Sequence, residues 1–319
     1  MGDWIREHRG VAIGVAILVA LVIVLLATGQ KESLVIGVIA GAAYGLLALG
    51  LVLIYKSSGV FNFAQGEFGT VGVYVLYLLH FDMPYGFAIL GALVAAVLMG
   101  VIVERLVVRP LFDAPRVTLL VATAGVALLA TAIEIWFGEA TARPLDRALP
   151  TLNRVSVLGV HISDQRLLLV GVLIVLAGLL ALFFRKTNLG LAILSASQEP
   201  TATELMGISV RRLSTLVWAI AALLGGIAGV LAIPEGGGFA PGALTVAFLI
   251  PAFTAAVLGG MTSLPGAFLG GIIVGVIEAV GTSAPIFADI PGTPGTLLVF
   301  IVLLAVLIVR PQGLLGERS

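Results

Sequence analysis

Long apolar runs, among them Val11 to Ala27, Leu167 to Phe184 and Thr296 to Val309, decide what this chain can fold into. Crossing the hydrocarbon of a bilayer takes about 20 mostly apolar helical residues. A helix that is apolar all round belongs in lipid or deep inside a large protein. A membrane barrel is excluded by the same runs, because its strands alternate apolar and polar over roughly ten residues. The fold class is an all-α polytopic membrane protein, and residues 1–319 read as one transmembrane domain. Only 11% of the residues are charged, against about a quarter in ordinary soluble domains.

Hydropathy places about ten transmembrane helices, at 11–28, 34–55, 60–80, 84–106, 117–137, 166–184, 213–233, 244–260, 266–284 and 294–310. The third and eighth are the irregular ones. The third carries Asn62, Gln65 and Glu67, and the eighth follows PEGGGFAPG and contains Pro251, so a broken or re-entrant course is open for both. Arg6 and Arg9 ahead of the first run have the outline of a signal peptide. That run exceeds the usual apolar region of about 7 to 15 residues, and Asp3 and Glu7 are atypical of a basic leader, so a retained first helix is the better reading.

With both termini inside, twelve Lys and Arg fall on the cytoplasmic side and five outside, which sets the orientation. The loop 138–165 then lies outside. Its alternating run from Arg154 to Ile162 suggests a short hairpin, with a plain solvated connector as the alternative. The loop 185–212 lies inside.

Polar side chains within spans mark function by default, because hydrocarbon offers them no partner. On an ideal helix, Asn62, Gln65, Gly66 and Gly69 share one face and Glu67 points away. Two readings follow: this face lines a passage, together with Tyr44, or its amides bond a neighbouring helix. Gly37, Gly41 and Gly45 recur at every fourth residue, as do Gly266 and Gly270, with Gly271 and Gly275 offset; this is the spacing of close helix packing. The two glycine-rich helices occupy similar places in the two sets of five spans, a faint sign of related halves. Glu134 and Glu278 also lie within spans, open to proton coupling or to a neutral, hydrogen-bonded packing role.

The loop 185–212 is too patterned for a linker. Ser197 reads as a helix cap, with Gln198, Glu199 and Pro200 in the first turn and Gly207 as the stop. The short helix 198–206 presents Ala202, Leu205 and Met206 as an apolar patch suited to a partner's groove. The alternative is a helix lying on the bilayer, which its lack of Lys and Arg disfavours.

Absent motifs narrow the chemistry. There is no GxxxxGK[ST] phosphate loop and no HExxH, cysteine is missing, and the three histidines are scattered, so no cofactor or metal is expected on this chain and no enzyme chemistry is indicated.

Five segments carry a resemblance: YGLLALGLVLIYKSSGVFNFAQGEFG from Tyr44, LGLAILSASQEPTATELMGISVRR, AALLGGIAGVLA from Ala221, FTAAVLGGMTSLPGAFLGG from Phe253, and VRPQGLLG from Val309. On these the chain resembles the H-type permease subunit of branched-chain amino acid ABC importers, over nearly its whole length. The resemblance implies a type II-like importer permease in a bacterial cytoplasmic membrane. It also implies an M-type permease partner, two ATPase subunits that hold ATP and Mg, and an extracytoplasmic binding protein, with no nucleic acid. Under it, Glu199, Pro200, Ala202, Leu205, Met206 and Gly207 fall in the segment that meets an ATPase. The leading substrates are leucine, isoleucine and valine; urea, short-chain amides and other amino acids are alternatives. A proton-coupled carrier using Glu67 or Glu278 is the reading from a different class.

Overall fold

The computed structural model describes residues 29–112, 114–138, 143–145, 154–157, 159–236, 238–283, 287, 293–309 and 313, with a few helical positions between 16 and 26. The first expected span falls mostly outside them. Among the described residues, each of the nine later spans meets a helix. These are α1 (Lys31–Ser58), α2 (Gln65–Leu79), α3 (Tyr85–Val103), α4 (Arg116–Gly138), α5 (Asp164–Lys186), α8 (Val210–Ala232), α9 (Ala243–Gly259), α10 (Leu264–Ser283) and α11 (Pro294–Val309). Two short helices, α6 (Asn188–Gln198) and α7 (Pro200–Leu205), lie between α5 and α8. Six of the helical stretches are individually long and apolar enough to cross a membrane.

Local chemistry sets the ends. Gly59, at φ 66°, closes α1 in the left-handed conformation and donates its N–H to Tyr55 O at 2.7 Å. Ser163 caps α5 and Ser209 caps α8, each accepting a backbone N–H three residues on. Between α4 and α5, β1 (Arg154–Val157) pairs antiparallel with β2 (Val160–Ser163), so the loop 138–165 does contain a hairpin. Its two-residue turn contains Gly159 at φ 84°. The α3 axis continues through a π-turn, Glu104–Val108.

The third expected span is broken. Residues 60–64 are not helical and α2 starts only at Gln65. The eighth is not: Pro251 sits inside a continuous α9.

Helix α1 runs through the middle of the bundle, and α10 lies along it with backbone against backbone at two glycine pairs. A Cβ on Gly41 would stand 2.6 Å from Gly271 O, and one on Gly37 would stand 2.8 Å from Gly275 O. The other face of α10 meets α9, where Gly266 lies against Gly259 and Gly270 against Ala255. The backbone of Gly45 also meets α10, 2.5 Å from where a Cβ on Gly271 would be, while its own Cβ would stand 3.1 Å from Leu173 of α5. Small residues thus give α10 two backbone-close neighbours at once, which lipid-immersed helices need because apolar side chains gain nothing by leaving lipid.

Gly41→Leu should therefore lower the yield of monodisperse, detergent-solubilised protein several-fold, roughly as overpacking by 1–3 kcal/mol would. Gly178→Leu on α5, where no atom lies within 4 Å of the built Cβ, should leave the yield unchanged in the same size-exclusion assay.

Candidate functional site

Three groups of side chains are placed with function in prospect: the amides at the start of α2, the carboxylates within spans, and the segment between α5 and α8.

The amides belong to a backbone problem. Gln65 donates through Nε2 to Ala221 O at 2.9 Å. Ala221 lies eleven residues into α8, about 16 Å from its start, near mid-membrane. Non-helical backbone at that depth must find its hydrogen bonds within the protein. Asn62 Oδ1 accepts Ala64 N–H at 3.0 Å, and Thr123 Oγ1 on α4 accepts Phe63 N–H and reaches Phe61 O, both at 3.3 Å. Asn62 Nδ2 donates to Gln65 Oε1 at 3.3 Å, which orients the longer amide. Asn62 and Gln65 are both buried, 1% and 0% exposed. A Cβ on Gly50 would collide with Gln65 Nε2.

The helical-wheel placement of Asn62 beside Gln65, Gly66 and Gly69 does not hold, because Asn62 precedes the helix. Gly66 and Gly69 are nonetheless close-packed: a Cβ on Gly66 would stand 2.6 Å from Thr245 N, and one on Gly69 would stand 2.6 Å from Gly225 O. Thr123 has no distinguishing pattern in the sequence, and its role was not legible there.

Glu67 points the other way, toward α4, and accepts from Thr131 Oγ1 at 3.2 Å. Its carboxyl lies within hydrogen-bond reach of Glu134. Glu134 accepts Gly242 N–H at 2.8 Å and Thr70 Oγ1 accepts Leu244 N–H at 3.3 Å, so both tie down the opening turn of α9, whose backbone donors would otherwise be orphaned. Glu278 on α10 is elsewhere: it accepts from the Tyr44 hydroxyl and, at 3.5 Å, from Thr296 Oγ1. Tyr44 is buried and meets Phe248 edge-on, ring centroids 5.5 Å apart.

The loop segment differs from its sequence reading at its start. Ser197 is not a cap; it lies in the last turn of α6 and donates to Leu194 O at 2.7 Å. Glu199 breaks the helix at φ −136°, ψ 81°, and Pro200 occupies the first position of α7. Proline disfavours helical geometry in the residue before it, which is why the break falls at Glu199. Gly207, at φ 82°, ends α7, with Ile208 N–H reaching back to Thr203 O at 3.2 Å. Thr203 is the buried residue of α7, while Ala202, Leu205 and Met206 are exposed, Leu205 to 85% and Met206 to 67%.

Behind α7 a cavity of about 390 Å³ is lined by Lys56, Ser58, Arg116, Ser197, Pro200 and Thr262 among others, so α7 abuts the ends of α1 and α4 and the α9–α10 turn. Lys56 Nζ donates to Thr262 O at 3.0 Å. Nearby, Arg109 pairs with buried Glu104 at 3.0 Å, bonds Thr215 Oγ1 at 2.6 Å and reaches Arg211 O at 3.3 Å, joining the foot of α3 to that of α8. This junction was not singled out in the sequence, where Glu104 passes as a span-end charge.

Residues 33–309 match the family described as the branched-chain amino acid transport system / permease component. The chain belongs to that family. Within it, the chain is 32% identical over 302 residues to the high-affinity branched-chain amino acid transport system permease protein BraD of Pseudomonas aeruginosa, covering 90% of this chain and 95% of that one. It is 30% identical over 305 residues to the corresponding permease protein LivH of Escherichia coli K12, covering 88% and 94%. The solved structure of PsaBC from Streptococcus pneumoniae in complex with Fab aligns with TM-score 0.50 over 92% of this chain and 97% of that one, at 15% identity, a likeness of fold alone.

Gln65→Leu should lower the thermal midpoint of the purified protein, since it leaves a buried carbonyl and amide unpaired at about 1–3 kcal/mol. An unchanged midpoint with lost uptake would mean that the amide lines a passage.

Proposed function

We propose that this chain is the permease subunit of an ATP-driven importer of leucine, isoleucine and valine. The carrying observation is the family match over residues 33–309 together with near full-length similarity to proteins named for branched-chain amino acid transport. The chain forms the membrane passage with a second, M-type permease, receives substrate from an extracytoplasmic binding protein, and is driven by two ATPases that carry the ATP and Mg. It is a ten-span protein of the bacterial inner membrane with both termini cytoplasmic. In support of that orientation, Lys56, Arg109, Arg116 and Arg211 gather at one end of the bundle and Arg143 and Arg166 at the other.

Coupling runs through α7. A six-residue helix anchored by Thr203 and exposing Leu205 and Met206 is a surface that only a partner would cover, and water gains nothing from it. When the ATPases close beneath it, α7 moves against the cavity at the feet of α1, α4 and α10 and shifts these helices as rods. Glu199, Pro200 and Gly207 set its two ends. Of the passage candidates, Tyr44 keeps that assignment through Glu278, whereas Asn62, Gln65, Gly66 and Gly69 hold the broken third span. Glu134 is engaged as a cap by Gly242 N–H and Glu67 by the Thr131 hydroxyl, which disfavours a proton-coupled carrier that uses Glu67.

Proteoliposomes with this chain, its M-type partner, both ATPases and the binding protein should take up labelled leucine only with internal ATP. Uptake by this chain alone on a proton gradient would refute the importer reading, and uptake of urea or amides in place of leucine would move only the substrate. Leu205→Asp and Met206→Arg should insert and assemble normally yet reduce ATP-driven uptake about tenfold or more, as loss of a buried interface anchor does; normal uptake by either would remove α7 from the coupling path.

A further inference from the structure

A second cavity, of about 240 Å³, opens between the outer halves of α1 and α10, lined by Ser33, Ile36, Ala40, Glu278, Ala279 and Thr282 among others. Its walls are mainly aliphatic and backbone, with Gly37 and Gly275 at its floor, and its one ionisable group is Glu278. Ile36 and Thr282 are exposed at its rim. The lipid-facing helices look different: α3 presents Phe87, Leu90, Val94, Leu98 and Ile102 in one exposed apolar stripe. A carboxyl at the edge of a lipid-facing groove would be costly, so such groups face a bundle interior or a watery cavity. No Lys, Arg or His pairs with Glu278 among the described residues. Its described partners are two hydroxyls, Tyr44 on α1 and Thr296 on α11.

From this we propose that the groove between α1 and α10 is a substrate contact of the passage, with Glu278 receiving the α-ammonium group of an amino acid whose branched aliphatic side chain lies along Ile36, Ala40 and Ala279. Tyr44 is the positioning residue. It fixes the carboxyl on α10 from the α1 side and is itself fixed by Phe248. The volume admits one amino acid of leucine's size, and the pairing of one anionic group with apolar walls matches a solute that is cationic at one end and aliphatic at the other. The contact is passing and weak by design, because a carrier's site must release what it receives. This proposal rests on the importer reading above.

Glu278→Gln separates charge from shape. Glutamine keeps both contacts, accepting from one hydroxyl through Oε1 and donating through Nε2 to the other, so a purely structural role predicts wild-type uptake. The ammonium role predicts that leucine uptake per ATP hydrolysed falls about tenfold, the size of a lost charged hydrogen bond, with assembly and binding-protein-stimulated ATP hydrolysis retained. Because the chain has no cysteine, Thr282→Cys reports access: a cationic, water-borne thiol reagent should label it in the assembled complex, more slowly when leucine and binding protein are supplied and more slowly again with Glu278→Gln. Wild-type coupling in Glu278→Gln, or absence of aqueous labelling at Thr282→Cys, overturns the proposal. A wild-type complex that does not transport leucine overturns the importer reading instead, whatever the labelling shows.

Discussion

Every backbone N–H and C=O within lipid must be bonded inside the protein, and the interior of this bundle is arranged around two places where a helix fails to supply those bonds. One is the non-helical stretch 60–64 ahead of α2, and the other is the opening turn of α9. Both meet the same requirement with polar side chains from neighbouring helices: Asn62, Thr123 and Gln65 at the first, Glu134 and Thr70 at the second. A polar residue at membrane depth is thus explained by geometry before any solute is invoked. Unbonded backbone in hydrocarbon costs several kcal/mol per group, which outweighs the penalty of burying an amide that is itself bonded.

The glycine contacts follow from the same arrangement. Gln65 can reach Ala221 only because Gly50 leaves space beside it, and α2 comes near enough to α8 and α9 only because Gly66 and Gly69 carry no Cβ. Helix α10 extends this logic across the bundle, with Gly271 and Gly275 toward α1 and Gly266 and Gly270 toward α9. Helices that meet backbone to backbone at these glycines have little side chain there to absorb a displacement.

Much of this was legible in the sequence. Long apolar runs located each later span to within a few residues of a helix, glycine spacing picked out the α1 and α10 faces, and alternation found the hairpin at 154–163. Where reading failed, tertiary contact had overruled local pattern. The wheel drawn through Asn62 assumed a helix that the chain does not form there. Ser197 is a good cap by type, but Pro200 sets the start of α7 and leaves Ser197 in the preceding helix. The meeting of Glu67 with Glu134 joins residues far apart in sequence, and nothing in either segment signals the other.

The central claim is that Gln65 holds backbone and faces no solute. Reaction of Gln65→Cys with a water-borne thiol reagent, followed through the ATP cycle of the assembled complex, tests it most directly because the chain has no other cysteine. The account predicts no labelling in any state. Labelling that appears during turnover and slows when substrate is supplied would contradict it and return the amide face to the passage.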